Sequence, residues 1–371
     1  MRMIFDINKS PMVVAWEMAR PSEPSQGSDC DPLELGTKEA QRLLEQIAEL
    51  QPPIFVFTGE NALRRQDLYQ LVHGAARLGL RPVLAAGASP YLKREVIAEL
   101  KNAGLWRLQL TLDGSTPELH DLLQGTSGSF ARTMEALQWA GEWHVPVQIN
   151  TNITRSNGND LENIVALLKS FRVLLWNVTF PVPTDASHSE ELPSPGEFEA
   201  IFARLYKVAQ QVPFKIKTTE AAHYRRFVLQ QRARTKSDKL WHSPGSAEGV
   251  PGIMPINESR STVFISHTGD VYAGACLPVP AGNVRFQKLA DIYRKSEVFT
   301  SLRNVTKLTG KCGRCSFKDV CGGSRARALI MLGDMFTEDV SCVYHPPAHS
   351  RVRTRPEPPK LVEDEKTETP K

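Results

Sequence analysis

The sequence predicts an α/β protein built on a parallel sheet, with a small cysteine-rich unit after it. Three observations carry that expectation. Between residues 10 and 230, short apolar or β-branched runs alternate with amphipathic helical stretches, the signature of βα units joined by right-handed crossovers. The ends of several of those runs are unusually polar. Five of the six cysteines fall after residue 275.

The strands are read in order as MVVAWEM (12–18), PIFVFTG (53–59), RPVLAAG (81–87), LWRLQLTLDG (105–114), VPVQINTNIT (145–154) and VLLWNVTFPVP (173–183), with KIKTTEA (215–221) a possible seventh. Between them lie TKEAQRLLEQIAEL, DLYQLVHGAARLG, KREVIAELKNAG, FARTMEALQWAGEW, NDLENIVALLKSF and PGEFEAIFARLYKVAQQ. Each carries apolar residues at i, i+3, i+4 and i+7, and several end near Gly or a basic residue, as helix termini prefer. Six or seven such units make either an open doubly wound sheet or a partial (β/α) barrel. In both, chemistry gathers at the C-terminal ends of the strands. Those ends carry Glu17 and Arg20, then Thr58, Gly59, Glu60 and Asn61, then Asp113 and Gly114, and finally Asn150, Thr151, Asn152, Thr154 and Arg155. No GxGxxG follows the first strand, which argues against a dinucleotide site.

Composition narrows the function classes. A chain of 371 residues with 41% hydrophobic content can bury a large core. Its 45 basic and 41 acidic residues leave +4, and the basic residues are scattered, so neither nucleic acid nor a membrane surface is an expected partner. No apolar run reaches the roughly 20 residues of a membrane helix. Asp6 and Lys9 interrupt the stretch a signal peptide would need, so a cytoplasmic location is expected.

Four segments follow from these patterns. Residues 1–230 form the βα unit array. Residues 231–260, rich in Pro and Gly, read as a linker or lid. Residues 261–346 form the cysteine-rich unit, opened by a hairpin in which TVFIS and DVYAG flank His267-Thr268-Gly269. Residues 347–371 are polar and Pro-rich and are expected to be disordered.

The strongest chemical signal is KCGRCSFKDVCGGSRARALIMLGDMFTEDVSC. Cys312, Cys315 and Cys321 make a C-x2-C-x5-C pattern, and Cys342 supplies a fourth thiol 21 residues on. Four thiolates complete a tetrahedral zinc site or hold a cubane cluster, and the spacing alone leaves both open.

The chain resembles the radical S-adenosylmethionine superfamily, in the branch with a C-terminal SPASM or twitch-type extension that includes tetrapyrrole- and peptide-modifying enzymes. The resemblance rests on VVAWEMAR, FTGENALRRQDL, LTLDG, QINTNITR, KTTEAAHYRR and CGRCSFKDVCGGSRARA, and it runs to about residue 346. It implies a partial (β/α)6 TIM-like barrel followed by a small SPASM/twitch-like domain, with an auxiliary [4Fe-4S] cluster on Cys312, Cys315, Cys321 and Cys342. It also implies S-adenosylmethionine at the strand ends, with Thr58, Gly59, Glu60, Asp113, Asn150, Asn152 and Arg155 as candidate cofactor contacts.

Two departures stand out. The family carries C-x3-C-x2-C after the first strand, where three thiolates hold the cluster that cleaves S-adenosylmethionine. Here the first of those positions is Ser22, the loop is shorter, and only Cys30 remains, flanked by Ser25, Asp29 and Asp31. One thiolate cannot hold a cubane, and oxygen donors are poor substitutes. The family's second-strand motif has two glycines and an acidic residue, where this chain has Gly59, Glu60 and Asn61. The resulting expectation is a cluster-bearing pseudoenzyme, accessory protein or electron relay whose partner is a tetrapyrrole, a peptide or an active homologue. The alternative is an active oxidoreductase or decarboxylase whose motif was lost to a local frameshift or replaced. A third reading has the barrel binding intact S-adenosylmethionine for non-radical chemistry.

Other residues carry paired readings. His223, Arg225 and Arg226 either bind carboxylates or make a solvated helix start. Cys276 lies near where some SPASM proteins place another ligand, and without partner cysteines it reads as a buried structural thiol. Trp16, Trp106, Trp139, Trp143 and Trp176 are expected to fill barrel layers or helix backs.

Overall fold

Each of the seven apolar runs forms a strand: β1 (Val13–Glu17), β2 (Ile54–Thr58), β3 (Pro82–Ala85), β4 (Arg107–Thr111), β5 (Val147–Asn152), β6 (Val173–Thr179) and β7 (Lys215–Thr219). The structure is a computed structural model that describes residues 5–20, 33–59, 62–87, 89–185, 190–234 and 258–347. Helices α1 (Thr37–Leu50), α2 (Leu68–Arg77), α3 (Arg94–Asn102), α4 (Pro117–Gln124), α5 (Ser129–Glu142), α6 (Leu161–Leu168), α7 (Pro195–Val208) and α8 (His223–Arg234) separate and follow the strands. The C-terminal part adds α9 (Glu258–Ser261), strands β8 (Thr262–Ile265), β9 (Asp270–Tyr272) and β10 (Pro280–Asn283), and helices α10 (Leu289–Lys295), α11 (Glu297–Arg303), α12 (Gly310–Arg314) and α13 (Arg325–Leu332).

The helices form where the 3.6-residue period is cleanest. The first buries Ala40, Leu43, Leu44, Ile47 and Leu50 on one face. The seventh starts on a capping box in which the Ser194 hydroxyl accepts from Glu197 N and the Glu197 carboxylate from Ser194 N, with Pro195 in the first turn. Helix α4, absent from the sequence reading, is capped by the Thr116 hydroxyl accepting from Leu119 N.

All strands among the described residues join one sheet in the order β10-β9-β8-β1-β2-β3-β4-β5-β6-β7. Pairing from β1 to β7 is parallel throughout, and the possible seventh strand is real, with Lys215 opposite Leu175 and Thr219 opposite Thr179. The hairpin β8–β9 is antiparallel as expected, but β8 also pairs in parallel with β1, Val13 opposite Thr262. The sheet therefore runs through from the barrel strands into the C-terminal unit.

Strand alternation sorts the two faces. Val14 and Trp16 of β1 and Phe55 and Phe57 of β2 are buried against the helices. The opposite face is polar: Gln148 donates to Asn150 at 2.8 Å and Thr219 to Asn177 at 2.8 Å. Residues of β1 to β5 and of the β8–β9 hairpin surround one cavity, which requires the sheet to curl into a partial barrel.

Trp16 and Trp176 are fully buried, and Trp139 and Trp143 pack partly buried against the core, while Trp106 lies under the guanidinium groups of Arg81 and Arg107. No helix among the described residues is long and apolar enough to cross a membrane. Ser22, Ser25, Asp29, Cys30, Asp31, Glu60, Asn61, most of the 231–260 connection and all but the start of 347–371 lie outside the described residues.

Candidate functional site

The strand ends open onto a cavity of about 1070 Å³, at the top of the roughly 300–1,000 Å³ range usual for small-molecule sites. Inward-facing Glu17, Thr58, Gln109, Thr111 and Asn150 line it, with Gly59 and Arg20 after the strand ends and Arg132 from the first turn of α5. The hairpin contributes Phe264, Ser266, His267, Asp270 and Tyr272. His267 Nδ1 stands 3.0 Å from the Glu17 carboxylate, within hydrogen-bond distance, so the end of β1 and the turn after β8 meet at the cavity wall. Both charge signs and an aromatic edge are present. Such a surface suits a large ligand carrying polar substituents on an apolar body.

Of the candidate cofactor contacts, Thr58, Gly59 and Asn150 line this cavity, and Glu60 lies outside the described residues. Asp113, Asn152 and Arg155 do not line it. Asp113 is 3% exposed and accepts from Asn152 N at 2.6 Å and Gln124 Nε2 at 2.6 Å, which ties β4, α4 and β5 together beneath the loop. Arg155 points outward, donating to Glu190 O at 2.8 Å and pairing with Glu197 at 3.4 Å. The turn after the fifth strand has carried it past the cavity rim. Gly59, at φ +119, has a specific reason to be glycine: a Cβ there would stand 2.3 Å from the Ala19 carbonyl oxygen.

Sequence reasoning missed Gln109 and Thr111, although period-2 alternation within LQLT would have marked both as inward. It also treated His267 only as a turn residue. Cys276, expected to be buried, is exposed, in the segment whose neighbours Ala275 and Leu277 line the cavity.

A second, small cavity lies between α8 and the C-terminal unit, and all four cysteines of the motif line it, Cys312, Cys315, Cys321 and Cys342. Gly313 lets the CxxC turn form, because a Cβ there would meet the Leu308 carbonyl oxygen at 2.3 Å. Backbone N–H groups point at three of the sulfurs: Phe317 N donates to Cys315 Sγ at 3.4 Å, Gly323 N to Cys321 Sγ at 3.4 Å and Asp339 N to Cys312 Sγ at 3.5 Å. Arg226, Lys311 and Lys318 share the lining. Burial pushes the Cys342 thiol up to about 11 and also raises Cys315 and Cys321. Thiols so placed become thiolates against a bound cation, which is what a metal centre provides.

His223 lines the same cavity at 0% exposure and Arg226 is 3% exposed, so the solvated helix start is corrected: this turn is buried between barrel and cysteines. Burial drives His223 down to about 3 although Asp339 favours its charged form, and the ring is neutral. Arg327 clasps the two halves. Its guanidinium donates to Glu220 O at 3.0 Å, Phe180 O at 3.3 Å and Pro181 O at 3.4 Å, and reaches Asp339 at 3.4 Å. Glu220 itself holds a left-handed φ of 54° and accepts from the Ser324 hydroxyl. Burial, with Glu258 nearby, raises its carboxyl to about 7.

Comparison with known proteins agrees with this architecture. The sequence profile of the Radical SAM superfamily matches residues 24–171. An AdoMet-dependent heme synthase of Methanosarcina barkeri is 30% identical over 347 residues, 92% of this chain and 98% of that protein. A PqqA peptide cyclase of Rhodopseudomonas palustris is 27% identical over 324 residues, 86% of this chain and 81% of that one. Among solved structures, Streptococcus suis SuiB bound to S-adenosylmethionine superposes with a TM-score of 0.67 at 14% identity, covering 91% of this chain and 78% of SuiB. The strand order, the cavity at the strand ends and the relatedness along nearly the whole chain agree: this chain belongs to the radical SAM superfamily.

Proposed function

We propose that this protein is a radical-SAM-fold iron–sulfur protein that holds one [4Fe-4S] cluster on Cys312, Cys315, Cys321 and Cys342 and offers its barrel cavity to a tetrapyrrole or a peptide, without itself cleaving S-adenosylmethionine reductively. In this reading residues 1–230 supply the cavity, 231–260 connect, and 261–346 carry the cluster as a SPASM/twitch-like unit. The protein then works in the cytoplasm as an accessory partner or electron relay, beside its substrate or an active homologue.

One contrast carries the reading. Four cysteines line one cavity, whereas Cys30 alone precedes residue 276. The first-strand loop therefore lacks the three thiolates a catalytic cluster requires. The residues at the second cavity do fit a cluster, since N–H groups reach three sulfurs and cationic side chains border a centre whose thiolates make it anionic. Membership of the radical SAM superfamily favours a cluster over a zinc ion on the same four thiols. When bound, the cluster supplies a one-electron couple. The two substrate classes follow the relatives' names, a heme synthase and a peptide cyclase.

A second reading, an active enzyme with a different ligand set for a catalytic cluster, draws support from the 30% identity to a heme synthase along 92% of the chain. Iron and sulfide analysis with EPR on anaerobically reconstituted protein separates the two. About four irons per chain, lost in Cys312→Ala, are expected for one cubane. About eight, with four surviving the substitution and a signal that changes on adding S-adenosylmethionine, would overturn the proposal.

A further inference from the structure

His223 stands apart from the other groups that border the thiol-lined cavity. Lys311 Nζ donates to Cys342 O at 2.7 Å, Lys318 Nζ to Gly313 O at 3.3 Å, and the Arg226 guanidinium to Gln230 at 2.6 Å. His223 is fully buried, and neither ring nitrogen has a hydrogen-bond partner. Among its charged neighbours, Asp339 lies 3.9 Å from Nδ1, beyond hydrogen-bond range. The rings of Phe198 and Phe202 pack against it with centroids 5.1 and 4.9 Å away, and carbon rings give its N–H no strong acceptor. An imidazole carries at least one N–H in either protonation state, and native structures rarely bury such a donor unused. The space this ring borders is the one lined by four sulfurs.

We propose that His223 donates a hydrogen bond to a sulfur of the cluster carried by Cys312, Cys315, Cys321 and Cys342. The inference rests on the cluster proposed above and adds a donor from outside the cysteine motif. His223 opens α8, three residues after Glu220 at the end of β7, so the donor is anchored in the barrel while the thiolates belong to the C-terminal unit. A hydrogen bond to sulfur stabilises the more negative, reduced state and raises the reduction potential. The barrel end thus tunes the centre it packs against.

The test uses the cluster-loaded full chain labelled with ¹⁵N-histidine, reduced with dithionite and mediators. Pulsed EPR of the reduced cluster is expected to show a weak histidine-nitrogen coupling that disappears in His223→Phe, which keeps the ring packing. The reduction potential is expected to fall in His223→Phe and to return toward that of the unsubstituted protein in His223→Gln, which keeps an N–H. Equal potentials in the unsubstituted and His223→Phe proteins overturn the inference. So does a cluster without histidine coupling, or with a coupling large enough for nitrogen bound to iron. If His223→Phe fails to hold iron, the labelled unsubstituted chain decides. A chain that takes up zinc and no iron overturns the cluster reading, and this inference with it; four irons without the coupling overturn this inference alone.

Discussion

Arg327→Ala removes the clasp between barrel and cysteine-rich unit, and its cost can be worked from the structure. The side chains of Arg327 and Asp339 are 1% and 0% exposed. Deleting one member of a buried ion pair leaves the other charge uncompensated, at about 3–5 kcal/mol. The ionisation of Asp339 offers a second measure. Burial acts to raise this carboxyl, but Arg327 and then His223 outweigh it and hold it at about 2 against an ordinary 3.8. That net depression corresponds to about 2 kcal/mol, and the lost bonds to the Glu220, Phe180 and Pro181 carbonyls add to the cost. The sign follows from the depressed value: this stability is present above pH 3.8 and is lost as pH falls toward 2. In the variant the burial that raises Asp339 is no longer opposed by the Arg327 charge, so its carboxyl moves upward and lowering the pH from 7 toward 5 is expected to relieve part of the loss. Urea unfolding followed by tryptophan fluorescence is the assay. With slopes of about 2–3 kcal/mol per molar, the midpoint at pH 7 is expected to fall by roughly 1–2.5 M. Arg327→Lys, which keeps the charge but not the fork, is expected to lie between. A loss under about 1 kcal/mol at pH 7, unchanged at pH 5, would refute the reasoning.

Three further outcomes are expected. Glu220, raised by burial to about 7 from 4.5, binds a proton more tightly folded than unfolded, so wild-type stability falls as pH rises through that window; the stability of Glu220→Gln relative to wild type should rise by roughly 2–3 kcal/mol between pH 5 and 8, and a pH-independent difference in urea titrations would contradict it. Gly59→Ala places a Cβ 2.3 Å from Ala19 O at a φ of +119°, so thermal unfolding should report a destabilisation of at least about 2 kcal/mol; an unchanged melting temperature would mean the first-strand loop yields freely. Asp113→Ala leaves Asn152 N, the Asn152 amide and Gln124 without their acceptor and is expected to cost about 2–4 kcal/mol in chemical denaturation, while iron content stays at the wild-type level.

The local periodicities made most of the barrel legible. All seven strand expectations fall on observed strands, and the stretch TKEAQRLLEQIAEL is the first helix end to end, because its apolar positions repeat with the helix period and nothing interrupts them. The four clustered cysteines were equally legible, since their neighbourhood is largely local in the chain. Thr58, Gly59 and Asn150 line the cavity as strand-end residues, whereas Arg155 does not, because the chain turned outward before that residue. Nothing in the segment around His267 marked it as a cavity residue, for its partner Glu17 lies 250 positions away.

The sequence by itself determined the class of fold and the superfamily, and it brought four cysteines close together in the C-terminal part, because each is written in spacing along a short stretch. Tertiary structure alone decided that β8 adds to β1 and brings His267, Asp270 and Tyr272 to the cavity wall. It also decided that Asp113 is consumed in a network beneath the loop, and that His223 and Arg327 meet at a buried seam between barrel and cysteines. The physical reason is common to these cases. Burial and partner choice are properties of surfaces brought together from distant parts of the chain, and a charged or titratable side chain looks the same in sequence whether it ends in water or between two packed units.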